Sequence, residues 1–399
     1  MSEGEFDLHP LEEGTPIGRI NLDEEVNQKT KTYLSMSLKY IREKKLKSCE
    51  EYLSGVLPAL KDHPFEHLTL ITIKIYCNLR LQNYRLVSSD LSSVGNLEKD
   101  SYRFEHFAWK YKKKSGSMIP FLLRLINCYY PYTLNLYFTS FDRLYLLILH
   151  YEELLLQCTA PVGSTTGQGD ASLDHPHTEV AHDGEVIPME ETRKVILHNI
   201  SIACYVLCDL LLKKNYIEQA IHLLKEKILR YDAGHVITIS LIGKLSLLMG
   251  TIDSADRSFA LVEQLTSGGG PSQDGAARGH TLTNASFLSL YLEDYPSALN
   301  QLMAIPPNIP AEQNRREAAN DYAIYRNNLA VTYLFNNDVS MSIQTLEETI
   351  MKDHGHAYPS LVKNLNLLYE FTKVGSERAL KMSEFVRNNL SEEVRRFWR

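Results

Sequence analysis

The stretch from Arg326 to Ile350, RNNLAVTYLFNNDVSMSIQTLEETI, constrains the chain more than any other. Leu329 and Ala330 are adjacent, Tyr333 follows three residues after Ala330, Ser342 nine after Tyr333, and Leu346 four after Ser342. Two antiparallel helices cross closely only where small side chains leave room, here Ala330 and Ser342, with Leu329, Tyr333 and Leu346 filling the space between them. Asn336-Asn337-Asp338 is the turn, because these side chains bond their own backbone and tolerate left-handed geometry.

The pattern recurs. Tyr33, Met36, Ser37 and Tyr40 are followed by Cys49, Leu53 and a closing Pro58. Ile75, Tyr76 and Leu79 are followed by Asn83-Tyr84 and Ser88, a second half that returns as Asn215-Tyr216 and Ala220. Cys204, Leu207, Cys208 and Leu211 precede Ala220 and Leu224; Ile239, Ile242 and Gly243 precede Ala255 and Phe259; Leu282, Ala285 and Ser286 precede Ala298 and Leu302. This is the spacing of the tetratricopeptide repeat. The small first-helix positions fall at 37, 76, 208, 243, 286 and 330. The step from 208 to 243 is the expected period, and the two longer steps after it contain the inserts SGGGPSQDGAARG and IPPNIPAEQ. The interval from 76 to 208, less one long loop, holds about three periods, so two irregular units are expected in the middle. The fold class is therefore all-α, a tetratricopeptide-type α-solenoid of antiparallel helix pairs, irregular in the middle.

Five segments follow. Residues 1–30 carry eight acids and two bases with two prolines and no sustained periodicity, and are expected to be a flexible acidic arm. Residues 31–158 hold the N-terminal repeats. Within them 96–158 is helical off the template: an aromatic then basic run from Tyr102 to Lys114, and two amphipathic helices, Met118 to Tyr129 and Phe138 to Gln157, separated by Pro131. Residues 159–187 have five acids, no Lys or Arg and many Gly, Ser and Thr, the composition of a disordered loop. Residues 188–386 carry the regular repeats, ending in a helical pair from Leu361 to Val386, and 387–399 form a capping helix whose Phe397 and Trp398 cover the end of the stack.

Apolar content of 44% with 23% charged residues is that of a soluble globular protein, and a net charge of −7 argues against a nucleic-acid binder. Without the acidic arm and loop the remainder stands at +4, which suits protein docking or weak, at most peripheral, association with a membrane surface. Cys49, Cys77, Cys128, Cys158, Cys204 and Cys208 show no paired metal-site spacing, and no signal-peptide pattern opens the chain; a reduced, intracellular setting is the expectation. The most apolar run, Leu144 to Leu156, is short and interrupted by His150, Glu152 and Glu153, so no bilayer span is expected.

No constellation carries catalysis. There is no phosphate-binding G-x4-G-K-[ST], since the run Gly268 to Gly270 has no nearby lysine, and no G-x-S-x-G or H-E-x-x-H. His175, His177 and His182 sit in the low-complexity loop without neighbours to orient them on a metal. Cys204 and Cys208 share a helix face as core thiols, Glu347 and Glu348 read as solvated charge, and the Tyr102–Lys114 run reads as a packed aromatic face with a solvated lysine run rather than a base-stacking platform. The expected catalytic, cofactor and metal residues are none. Chaperone adaptors of this repeat class grip a terminal carboxylate through paired lysine and asparagine. The corresponding pairs here, Leu34/Leu38, Ile73/Cys77, Tyr205/Asp209, Ser240/Lys244, Thr283/Phe287 and Asn327/Val331, do not supply that set.

Four stretches together resemble one family: Tyr40 to Leu46 leading to Val56-Leu57-Pro58; Met118 to Arg124; Ser140 to Leu146; and the Arg326 to Ala330 opening of the last clear unit. They look like the tetratricopeptide subunit of the transport protein particle (TRAPP) complex, over about Lys31 to Lys381. The resemblance implies a non-catalytic scaffold subunit of an assembly that activates a Rab GTPase in endoplasmic reticulum to Golgi transport. Its partners would be the other TRAPP subunits and, indirectly, the Rab GTPase. Its place would be the cytoplasmic side of the intermediate compartment and Golgi. The alternatives are a tetratricopeptide adaptor for another assembly and an enzyme whose site follows none of the motifs above.

Overall fold

The computed structural model describes residues 24–111, 114–159, 189–267, 274–305, 315–352, 357–372 and 376–398. The chain divides into two compact units, one reaching Leu210 and one from Leu211 onward.

In the first unit α1 (Glu24–Arg42) packs on α2 (Leu46–Val56), and α3 (Pro64–Arg80) packs on both and on α4 (Tyr84–Val94). Residues 24–30, assigned by composition to the arm, are the opening turns of α1; residues 1–23 and the 160–188 part of the low-complexity loop lie outside the described residues. Then α5 (Phe121–Thr133) pairs with α6 (Tyr137–Thr159), and α7 (Met189–Lys213) follows. The second unit contains α8 (Ile217–Leu224), extended by one wider turn from Lys225 to Leu229, then α9 (Val236–Leu248), α10 (Ile252–Ser267), α11 (Asp274–Tyr291), α12 (Tyr295–Met303), α13 (Arg315–Phe335) and α14 (Val339–Lys352). It closes with α15 (Pro359–Thr372), α16 (Ser376–Asn389) and the short α17 (Glu392–Arg395).

One turn geometry is used in seven hairpins. A single residue with positive φ ends the first helix: Lys44, Gln82, Asn135, Asn215, Gly250, Glu293 and Asn337. The amide of the next residue reaches back five positions to a carbonyl, as Asp338 does to Tyr333 at 2.8 Å and Thr251 to Ser246 at 2.9 Å. This six-to-one closure satisfies a carbonyl that the helix end leaves without a partner. Seven residues before each turn lies the crossing residue of the first helix, and twelve after that the small residue of the second. In the pairs of α1/α2, α5/α6 and α13/α14 the second residue also donates to the crossing carbonyl: Ser140 Oγ to Cys128 at 2.7 Å, Ser342 Oγ to Ala330 at 2.7 Å, and Cys49 Sγ to Ser37 at 3.6 Å. Close approach therefore satisfies polar groups as well as packing apolar ones.

The turn corrects the expected register of α3/α4. Gln82 takes the left-handed conformation, whereas Asn83 has φ −79°, so the crossing residue is Ile75 rather than Tyr76. Its partner is the fully buried Val87, and Ser88 is exposed. After Gly, Asn is the residue that tolerates left-handed geometry best, and its match to Asn215 suggested the wrong alignment. Here Asn83 instead donates through Nδ2 to Asn78 Oδ1 at 3.2 Å.

The middle is also simpler than expected. One helix pair, α5/α6, lies between α4 and α7 among the described residues, not two irregular units. The described residues between 95 and 120 form no α-helix: Gly95 ends α4 at φ 72°, two short 3-10 turns follow, and the amides of Phe104 and Met118 donate to the carbonyls of Gly116 and Tyr102 across a two-stranded bridge. Pro131 does not separate the two helices but lies inside α5, near its end. Proline removes the amide that would serve the carbonyl of Asn127, and Arg143 of α6 supplies it instead through Nη1 at 3.2 Å. Among the described residues α7, rather than the run from Leu144 to Leu156, holds within Glu190–Lys213 an 18-residue window of mean hydropathy 2.0, enough by length and composition to cross a membrane, but 61% of that window is buried in protein.

At the end of the chain Phe397 and Trp398 pack on the core formed by α13 to α17. The Trp398 ring meets Tyr369 edge-on at 5.8 Å, and the Lys363 ammonium lies 4.1 Å from the Phe397 ring centre.

Candidate protein-docking surface

Reactive groups are spent on packing. No group of three or more His, Cys, Asp or Glu is placed to hold a metal among the described residues, and His175, His177 and His182 lie outside them. All six cysteines are buried free thiols. Burial pushes Cys128 up to about 11 and Cys208 up to about 12, the reverse of an activated nucleophile.

The aromatic run packs inward. Phe104 and Tyr111 are buried; Phe65 lies 5.2 Å from Phe104, and Tyr111 donates to the buried Glu66 carboxylate at 2.5 Å. Lys110 and Lys114 are not simply solvated, as the sequence suggested; Lys112 and Lys113 lie outside the described residues. Lys114 sits 4.8 Å over the Phe65 ring, and Lys110 donates to the carbonyl of Asp62 at 2.5 Å. Trp109 of this run stands clear, at 74% exposed.

Glu347 and Glu348 are likewise engaged. Glu347 is buried on α14, where Arg378 grips its two carboxylate oxygens at 2.7 Å each and the Tyr369 hydroxyl donates to it. Arg378 stands twelve residues after Asn366, the place of Ser342 in the preceding pair, so the last pair replaces a small crossing residue by an ionic clasp onto α14. Glu348 accepts from Arg326 at 3.0 Å.

Among the exposed apolar residues of the second unit, several share one face of the first helices. One position after the crossing residue stand Lys244, Phe287, Val331 and Leu367, and one turn further Leu248, Tyr291, Phe335 and Phe371. All four of the latter row are exposed, Phe371 to 79%. In the first unit the corresponding places hold Arg42, Arg80 and Thr133. Exposed apolar side chains thus recur at one helical position in four successive pairs, the kind of patch that can hold another protein. Between α13 and α15 it opens into a groove of about 530 Å³ lined by Leu334, Leu367, Leu368, Glu370 and Phe371. Asn364 bridges the same two helices, donating to Asn327 at 2.9 Å. Of the pairs compared with the chaperone clamp, Asn327 is thus occupied by Asn364, and Ser240 by Asn284, whose Nδ2 donates to it at 2.9 Å. The apolar row was legible as spacing, but the sequence alone did not single it out, because surface exposure is needed to tell it from core.

No family model matches the sequence. Among curated proteins, the chain is 23% identical over 317 residues to trafficking protein particle complex subunit 12 of Homo sapiens, covering 78% of this chain and 39% of that protein. The Mus musculus protein of the same name is 23% identical over 310 residues, covering 77% and 36%. The chain thus spans under two fifths of the length of these relatives. Among solved structures, the P58(IPK) TPR domain aligns over 92% of this chain and 96% of its own at 10% identity, with a TM-score of 0.22.

Proposed function

We propose that this protein, a helix-pair solenoid distantly related to trafficking protein particle complex subunit 12, works as a non-catalytic scaffold subunit of a TRAPP-type assembly. The observation that carries the reading is that relationship, joined to cysteines that are all buried and to a Glu347 held in an ionic clasp. The chain's open features are repeated apolar positions suited to holding other proteins. Its partners would be the other TRAPP subunits, with a Rab GTPase acted on by the assembly rather than by this chain. Its place would be the cytoplasmic side of the endoplasmic reticulum–Golgi intermediate compartment and the Golgi. A scaffold acts by raising the effective concentration of the parts it joins.

The test is isolation of the tagged chain from cells at its native level, with the co-purifying proteins quantified by mass spectrometry. TRAPP subunits in near-constant ratio to the chain support the reading. A stable complex that lacks them points to an adaptor for another assembly and overturns it.

A further inference from the structure

Lys244 is an unusual residue for its position. It projects from α9 one residue after the crossing Gly243, where the later pairs have Phe287, Val331 and Leu367. Its ammonium lies 5.0 Å over the Phe287 ring of α11, and among the described residues no carboxylate pairs with it. Burial lowers its pKa, with no neighbouring charge to counter the effect. The polar groups beside it are spent on each other, since Asn284 donates to Ser240. A half-buried cation held against a ring and lacking a counter-ion is a standing electrostatic deficit, which an incoming anion removes.

The surroundings say what kind of anion. Along α9, Ile237 and Leu248 are exposed seven residues before and four after Lys244, which places them on its helix face. On α11, Tyr291 is exposed one turn beyond Phe287, and its hydroxyl reaches the Gly250 turn at the end of α9. Apolar surface therefore continues on both sides of the ammonium. A carboxylate bound here belongs to the middle of a segment flanked by apolar side chains, rather than to a chain end or a free small acid.

We propose that the α9/α11 face docks a segment of a partner protein through an internal Asp or Glu side chain on Lys244, with apolar side chains against Ile237 on one side and Leu248 and Tyr291 on the other. This names a docking site for the scaffold reading and rests on it only in taking the occupant to be a protein.

The test starts from a library of random 12-residue peptides displayed on phage with their C-termini fused, selected on the purified full chain. Peptides with one fixed Asp or Glu between apolar residues are expected. A synthetic, C-terminally amidated winner should lose tenfold or more in affinity when its acid is changed to the amide. It should lose as much on Lys244→Met, and the two losses should not add. Lys352→Met, an exposed lysine on α14, should change nothing, and the thermal midpoint of Lys244→Met should not fall, showing that the fold is intact. Selection without an acid, failure to select any binder, a requirement for a free C-terminal carboxylate, or unchanged affinity on Lys244→Met would overturn the proposal. The two readings separate in cells. If TRAPP subunits co-purify with Lys244→Met as fully as with the parent, this site is not their dock while the scaffold reading stands; if they co-purify with neither, the scaffold reading fails whatever the peptides show.

Discussion

The ring of Phe259 lies directly on Gly243: a methyl group at Gly243 would fall 2.3 Å from ring atom Cε1 and 2.7 Å from Cδ1. Phe259 stands sixteen residues after Gly243, at the place that leucine holds in the pairs closed by Leu53, Leu144, Leu224, Leu302 and Leu346. Every one of those pairs has a side chain at the crossing position. The larger ring is accommodated by removing Cβ on the opposite helix.

Gly243→Ala is therefore expected to overpack α9 against α10, at about 1–3 kcal/mol. Part of this is offset by about 1 kcal/mol of gained helix propensity. With Phe259→Leu the clash is gone and only the propensity gain remains, so the same Gly243→Ala change should become stabilising. Urea unfolding of the four proteins of the cycle measures this. Equal effects of Gly243→Ala in both backgrounds would show that the ring does not set the requirement.

Ala330→Trp tests the crossing in the unit where it was most legible. Ala330 and Ser342 are each 1% exposed, and their helices meet through the Ser342 hydroxyl on the Ala330 carbonyl. An indole at that place is expected to cost on the order of 1–3 kcal/mol or more. A thermal midpoint equal to that of the parent would contradict the register.

The ionic clasp at the end of the chain predicts an asymmetry. Glu347 is nearly covered, with 10% of its side chain exposed, whereas Arg378 is 51% exposed. Arg378→Met leaves a carboxylate short of its counter-ion in the interior, expected to cost about 3–5 kcal/mol. Glu347→Gln leaves a guanidinium that water can reach, expected to cost about 1–3 kcal/mol. Equal losses would mean that the clasp is more solvated than its geometry implies.

Alkaline pH should act on the same cluster. Burial, then the hydrogen bond to Glu347, raises the Tyr369 pKa above its ordinary value, and burial does the same for Tyr129. A group raised in the folded state favours folding in its protonated form. That contribution is complete below the unfolded value of about 10 and is lost as pH rises through the folded one. Stability measured between pH 8 and pH 11 should fall, and less steeply in Tyr369→Phe and Tyr129→Phe than in the parent. Identical slopes would show that neither phenol carries the effect.

The sequence was most informative where small residues and turn residues agree. Ala330, Ser342 and Leu346 are buried as their spacing requires, and Asn337 takes the left-handed turn. It misled where one strong local signal pointed away from the tertiary solution. Asn83 drew the register of α3/α4 by one residue, although Gln82 makes the turn. Cys128, Ser140 and Leu144 keep the full twelve and sixteen spacing, yet Pro131 occupies the place of Tyr333 and hid the unit. The carbonyl that this proline orphans is served by Arg143, a contact sixteen residues away. The isolation of Lys244 was illegible for a similar reason. It depends on α11 bringing Phe287 over the ammonium with no carboxylate beside it among the described residues.

The scaffold account is tested most directly by nucleotide release from the Rab GTPase, measured with purified components in solution. The chain alone should leave the release rate at background, and the catalytic core of the assembly should remain active without it. Acceleration by the isolated chain, in a preparation free of the other subunits, would contradict the account.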